Sequence, residues 1–252
     1  MNRPVMLETF ACEGGATAGY QRAGFEVWAV DSDPNRLKYN PAEHKLMADA
    51  FTVLDAIACG NAVRFDDGAI LSPADVDASH QSPPCQFYSR GNAGKVTTWP
   101  RLIPDCREAA IALGVPYVIE NVVDAGYDME EPTLLCGCMF DLSTIDTDGI
   151  RIHLQRPRLF EVGGFDLAAP RSCDHSAHEW VAGAYGGARR DKYEAKYVRK
   201  GGYVPPEKHI VAALLGAQHP MTWRGLFESL PPAYTEHIGA QLIAHLEREA
   251  AA

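Results

Sequence analysis

The chain has 252 residues, 46% of them hydrophobic and 22% charged, with a formal net charge of −10. That length suits one α/β domain with a small appendage and is too short for two full-sized domains. No stretch approaches the roughly 18 unbroken apolar residues of a membrane span. Residues 1–7 lack the basic-then-apolar order of a signal peptide, so a cytoplasmic location is expected. The seven cysteines (12, 59, 85, 106, 136, 138 and 173) are odd in number and sparse, which argues for thiols rather than a disulfide framework. The acidic balance opposes phosphate binding over the whole surface. Residues 188–200 (ARRDKYEAKYVRK), however, hold six basic and two acidic side chains, and a local basic face suffices to hold a polyanion.

In chain order, residues 5–10 read as a strand and Gly14-Gly15 as a turn. Residues 16–23 follow as a helix stopped by Gly24, and residues 25–30 as a second strand. Such a strand–helix–strand unit predicts a parallel sheet with helices on its faces. Further strands fit residues 76–79 and 117–119, and the helical pattern at 107–113 ends at Gly114 and Pro116. From about residue 163, Gly, Pro, His and Arg become frequent and apolar periodicity fades until Pro205-Pro206. Helical patterns return at 208–215 and 234–248, the last with apolar residues at 238, 242, 243 and 246. The expected architecture is a doubly wound α/β core over residues 1–164, a small irregular insert over 165–206, and a segment, 207–252, that returns to the core.

Three stretches carry chemistry. The turn Phe10-Ala11-Cys12-Glu13-Gly14-Gly15, closing on Gly19, lets backbone approach a ligand at the switch point of a doubly wound sheet. The second strand ends at Asp31, the distance at which an acidic side chain takes the hydroxyls of a bound ribose. Glycine turns after strands are common, and plain turn chemistry is the alternative. In Ser82-Pro83-Pro84-Cys85-Gln86-Phe87-Tyr88-Ser89, two prolines fix the backbone and present Cys85 from a rigid loop, placed for attack on a ligand in the crevice. The alternative there is a buried cysteine in a proline turn. Glu120, near the end of the apolar Tyr117-Val118-Ile119, points into the same crevice, where burial would raise its pKa until it holds a proton near neutral pH. A strand-end acid capping a helix is the other reading.

In this order the motifs resemble those of the cytosine-C5 DNA methyltransferases. The family's catalytic Pro-Cys-Gln loop matches Pro84-Cys85-Gln86 with Ser89, and its Glu-Asn-Val matches Glu120-Asn121-Val122. Its paired arginines look like Arg156 and Arg158, its adenine-contacting acid like Asp49, and its closing motif is similar to Ser229-Leu230-Pro231-Pro232-Ala233-Tyr234. The resemblance covers about residues 5–162 and 208–246. It implies a Rossmann-like S-adenosylmethionine-dependent core whose cofactor meets Phe10, Ala11, Gly14, Gly15, Asp31, Ser32, Asp49, Pro84, Ser229 and Leu230. It further implies Cys85, Glu120, Asn121 and Arg158 as catalytic residues, with Gln86, Ser89 and Arg156 facing DNA. Cys12 stands where the family has glycine, Ser32 where an apolar side chain packs adenine, Leu154 where glutamine is frequent and Glu228 where asparagine is usual.

The implied chemistry uses these residue types for stated reasons. Carbon 5 of cytosine is too weak a nucleophile to take a sulfonium methyl group directly, and a thiolate from Cys85 adding at C6 makes it reactive. Glu120 would protonate or hydrogen-bond N3, Asn121 would shape the strand end, and Arg158 would hold the ring O2. The base must leave the duplex stack to reach them. In the insert, Arg189, Arg190, Lys196 and Lys200, interleaved with Tyr193, Tyr197 and Tyr203, suit phosphate contacts and base stacking, or form a solvated helix face. No metal centre is assigned. Cys136, Cys138, Cys173 and His175 are candidate zinc ligands whose spacing is irregular for a zinc finger. Two alternatives stay open: the same chemistry on a free nucleotide or RNA, or with another transferred group, and a non-catalytic nucleic-acid binder that keeps the fold.

Overall fold

The computed structural model describes residues 3–89, 98–186, 193 and 201–251. The chain begins with β1 (Val5–Thr9), α1 (Gly15–Ala23), β2 (Glu26–Asp31), α2 (Pro34–Leu37), β3 (His44–Met47) and α3 (Ala50–Ala58). A small hairpin, β4 (Val63–Arg64) and β5 (Ile70–Leu71), leads to β6 (Ala78–Gln81), α4 (Ile103–Leu113) and β7 (Tyr117–Val122). Then come β8 (Thr133–Leu135), β9 (Ser143–Ile145), β10 (Arg151–Leu154), β11 (Arg158–Gly163) and β12 (Val181–Ala182). The chain closes with α5 (Lys208–Leu215), α6 (Trp223–Glu228) and α7 (Pro232–Ala250). Among the described residues no helix is long and apolar enough to cross a membrane.

Among the described residues, seven strands form one sheet in the order β3-β2-β1-β6-β7-β11-β8. The first five are parallel, and β11 runs antiparallel to both β7 and β8. The chain steps outward from β1 through β2 to β3, then returns and steps the other way from β6 to β7. The order therefore reverses between β1 and β6, which makes that crevice the topological switch point. This is the doubly wound α/β fold expected from the sequence.

Alternation along the strands buries both faces. Met6, Val27, Ala29 and Val118 point to the face covered by α1 and α7, against Tyr20, Tyr234, Ile238 and Leu242. Leu7, Trp28 and Val30 point to the other face, against Val53, Leu54 and Ile57 of α3. The Arg107 guanidinium fastens α4 to the sheet by donating to both carboxylate oxygens of the buried Glu161, at 2.6 and 2.7 Å. Element edges differ from the sequence reading for local reasons. Strand β6 starts two residues late because Pro73–Asp75 form a tight 3-10 turn and the Asp77 carboxylate accepts the Val5 amide at 2.7 Å. Helix α4 starts four residues early because Pro104, in its first turn, forfeits no intrahelical bond.

A second apolar cluster sits apart from the sheet. Strands β9, β10 and β12 form a three-stranded sheet, and Ile152, Leu154, Ala182 and Val204 pack with Ile210, Val211, Leu214 and Leu215 of α5. This cluster reaches beyond the expected 165–206 insert on both sides, drawing β9 and β10 from before it and α5 from after it.

Helices α1 and α7 pack closely at Gly19. A Cβ there would run into the backbone of Pro232 and Glu236, and the neighbouring Thr235 hydroxyl donates to the Ala16 carbonyl at 2.8 Å. Gly19→Ala is therefore expected to cost about 1–3 kcal/mol by forcing the helices apart. Urea unfolding checks this, and an unchanged midpoint would mean the two helices slide freely.

Candidate active site

The register of the sheet assembles the site. Thr9 of β1 lies level with Val30 of β2 and Gln81 of β6, and Gln81 lies level with Ile119 of β7. The next residues along, Phe10, Asp31, Ser82 and Glu120, therefore emerge side by side at the carboxyl edge. Arg158 opens β11 opposite Val122 at the same edge, because β11 runs antiparallel. These residues line one cavity of about 390 Å³, within the usual size of a small-molecule site.

Every residue expected to meet the cofactor lies in this wall: Phe10, Ala11, Gly14 and Gly15 from the first loop, and Asp31, Ser32 and Asp49 from the next two strand ends. Pro84 comes from the proline loop, and Ser229 and Leu230 from the C-terminal motif. Phe10 and Cys12 adopt left-handed φ of 57° and 52°, and Gly14 follows at 84°, which folds the loop back over the strand end. The Asp31 carboxylate accepts the Cys12 amide at 2.7 Å and the Asp33 amide at 2.8 Å, fixing that loop. Asp49 caps α3 by accepting the Thr52 amide at 2.9 Å. Gly15 has no room for a Cβ because the Leu230 carbonyl packs on it, so the first loop and the closing motif require each other.

The catalytic candidates face this wall. Cys85, half-buried, opens a turn in which its carbonyl accepts the Tyr88 and Ser89 amides and the Ser89 hydroxyl. The buried Asn121 donates to the Pro83 carbonyl at 3.0 Å and so clasps the proline loop to the end of β7 without itself lining the cavity. Glu120 is buried and lies 3.1 Å from Nε of Arg158. Burial raises its pKa, and Arg158 and a hydrogen bond from Ser82 oppose that rise. Ser82 in turn meets Nε2 of His80 at 2.8 Å, and Nδ1 of His80 meets the Tyr20 hydroxyl at 2.9 Å. Burial pushes His80 down to about 3, so this interior chain is neutral and orients Ser82 toward Glu120.

Arg156, expected to face DNA, is instead fully buried. Its guanidinium donates to the Ala184 and Phe227 carbonyls, each at 2.8 Å, and its own carbonyl accepts the Tyr234 hydroxyl at 2.9 Å. It ties the second cluster to the core and sets the turn, at φ 44°, that delivers Arg158. Gln86 lines the cavity, whereas the Ser89 hydroxyl is turned back onto Cys85. Arg189, Arg190, Lys196 and Lys200 lie outside the described residues. The zinc candidates Cys136, Cys138, Cys173 and His175 come together, away from this cavity.

Four polar residues of the site were not anticipated. Glu13 is buried and accepts both the amide and the hydroxyl of Thr222, each at 2.6 Å, locking the segment before α6 onto the first loop. Arg36 is buried against Glu228 and lines the cavity, and its Nε and Nη2 have no partner among the described residues, so they are available to a ligand's acceptor. Ser82 could have been suspected from its place beside the prolines. Glu8 lines the cavity from within β1 and accepts the Thr17 hydroxyl at 2.6 Å.

No protein-family model matches the chain, and no curated protein matches it by sequence. Solved structures do match its fold. A protein described as a DNA modification methyltransferase, encoded within an E. coli prophage, aligns over 97% of this chain and 99% of its own, with a TM-score of 0.53 at 13% identity. The Dnmt2 methyltransferase of S. pombe aligns over the same shares with a TM-score of 0.54 at 14% identity. Both likenesses bear out the doubly wound, Rossmann-like architecture.

Glu8 makes stability depend on pH. Burial raises its pKa from 4.5 to about 8, so its carboxyl is protonated in the folded chain at neutral pH. A raised carboxyl pKa stabilises the fold at pH below the unfolded value, and that contribution is lost as pH climbs from 4.5 to about 8. Glu8→Gln keeps the shape without the charge. It is expected to flatten the decline, gaining on the order of a few kcal/mol over the wild type at the alkaline end. Parallel pH–stability curves for the two proteins would contradict this.

Proposed function

We propose that the chain is an S-adenosylmethionine-dependent methyltransferase acting on C5 of cytosine in DNA, in the cytoplasm. One observation carries the reading: a loop-borne cysteine and a buried Glu120–Arg158 pair share a cavity with a glycine turn and strand-end acids. S-adenosylmethionine fits the donors present. Asp31 suits a ribose diol, and the unpartnered Nε and Nη2 of Arg36 suit an acceptor on the ligand. Bound there, S-adenosylmethionine supplies an electrophilic methyl group.

The chain's own residues do the rest. Cys85 as thiolate adds its electron pair to C6 of the flipped base, and the displaced pair runs through the ring to N3. Glu120, whose pKa burial raises, is placed to give N3 a proton as that charge develops. Arg158, once Glu120 turns to the base, is a planar donor for the ring O2. This addition makes C5 the nucleophilic atom. Later loss of the C5 proton to solvent water returns the pair to the C5–C6 bond and expels Cys85 as thiolate, and N3 gives its proton back to Glu120. Arg189, Arg190, Lys196 and Lys200 are proposed to follow the phosphates of the duplex. The net charge of −10 favours a second reading, in which the same chemistry serves an RNA or a free nucleotide.

DNA substituted with 5-fluorocytosine tests the reaction, because fluorine at C5 blocks the final elimination. With S-adenosylmethionine present, the wild type is expected to form a complex that survives denaturing electrophoresis, and Cys85→Ser to form none. Glu120→Gln should trap about 10²–10⁴ times more slowly while binding cofactor normally. Trapping by Cys85→Ser would remove Cys85 as nucleophile. Absence of both trapping and cofactor binding in the wild type would favour the non-catalytic binder, and trapping confined to RNA or free nucleotides would favour the second reading.

A further inference from the structure

We propose that Cys136, Cys138, Cys173 and His175 hold a structural zinc ion that fastens the insert to the catalytic core. The first two follow β8, and the other two lie 35 or more residues further on, yet the four ligand atoms all lie within 4.8 Å of one another. Cys136 Sγ and Cys173 Sγ are each 3.3 Å from Nε2 of His175, and Cys138 Sγ is 3.4 Å from Cys173 Sγ. Zinc–ligand bonds of about 2.3 Å to sulfur and 2.0 Å to nitrogen put neighbouring ligands of a tetrahedron about 3.5–3.8 Å apart. These three pairs open by a few tenths of an ångström around an ion, and the wider pairs, none beyond 4.8 Å, close toward the same edge length.

The surroundings are shaped to this arrangement. Gly137, between the two buried cysteines, has no space for a Cβ against the Leu154 carbonyl, and its amide donates to the Gln155 carbonyl at 2.5 Å. Any larger residue would push the Cys-Gly-Cys turn off the core and separate its thiols. The Cys136 thiol donates to the same Gln155 carbonyl at 2.8 Å. Ligation removes that proton, and the carbonyl keeps the Gly137 amide and the Tyr234 hydroxyl, the latter at 3.4 Å. Three thiolates and a neutral imidazole leave the centre with one net negative charge. Arg171, which donates to the Cys138 carbonyl at 2.5 Å and pairs with Asp141, lies beside the centre.

Four protein ligands fill the coordination shell and leave no position for water or substrate, which is the signature of a structural rather than a catalytic ion. Its place gives it a task. Gln155 begins the turn through Arg156 and Pro157 that delivers Arg158 to Glu120, and the cysteine turn packs directly behind it. The ion would clamp residues 173–175 onto the support of that turn. This holds whichever substrate the enzyme uses.

The test is metal analysis of the full chain purified under reducing conditions without chelator. About one zinc per chain is expected, as is a cobalt-substituted form with the visible spectrum of tetrahedral thiolate coordination. Cys173→Ser with His175→Ala removes two ligands that belong to neither apolar cluster and should lose the zinc and lower the thermal midpoint. Chelator should lower the wild-type midpoint in the same way. A metal-free wild type would overturn the proposal, whether its thiols are free or Cys138 and Cys173 are joined as a disulfide visible by mass. So would zinc retained in full by the double variant.

Discussion

Strands β1, β6 and β7 run parallel with Thr9, Gln81 and Ile119 level, and everything at the site follows from that shared edge. Backbone hydrogen bonding sets the register, and a slip of one residue would turn every buried side chain on a strand to the opposite face. Met6 and Leu7 have different partners on the two faces, so such a slip would break both clusters at once. The core thereby dictates that Phe10, Ser82 and Glu120 arrive together. Loop chemistry then adds reach: Pro83 and Pro84 carry Cys85 outward, and Asn121 ties that loop back to β7.

The far end of the chain closes the cavity, and buried charge holds it there. Glu13 grips Thr222, Arg36 pairs with Glu228, and the Leu230 carbonyl packs on Gly15. Removing Glu228 would leave the buried Arg36 guanidinium without its carboxylate, and removing Glu13 would leave the Thr222 amide and hydroxyl without their acceptor. These contacts also account for two departures from the resembling family. Glu228 has a cation beside it in Arg36, which an asparagine would leave uncompensated. Cys12 holds a left-handed backbone at φ 52°, a conformation glycine adopts without strain, and its amide is held there by Asp31.

The parts of the fold legible in the sequence were those with strong periodicity and clear punctuation. Helix α1 ends at Gly24, α5 spans the eight residues its pattern indicated, and Asp31 ends β2. Strands β3, β9 and β12 are short and partly exposed or isolated, and carry too little alternation to be seen. The cavity wall was legible because motifs at strand ends share an edge once the sheet is parallel. Arg156 was misread because an arginine beside a site suggests a ligand contact, and nothing local reveals that Ala184 and Phe227 accept its hydrogen bonds. Glu13 was missed for the same reason, its partner lying 209 residues away. The metal candidates were recognisable as residue types, but the proximity that gives them meaning is a property of the fold alone.

The proposed role of Cys85, Glu120 and Arg158 in this cavity is to modify C5 of cytosine in DNA. It is tested most directly by the nucleoside masses in DNA from cells expressing the protein, set against cells expressing Cys85→Ser. The first sample is expected to contain a nucleoside heavier than deoxycytidine by one methylene, with fragmentation that places the added mass on C5, and the second to lack it. Unmodified DNA in both samples, with the protein folded and binding S-adenosylmethionine, would contradict it, as would a methyl group on a ring nitrogen or exocyclic amine.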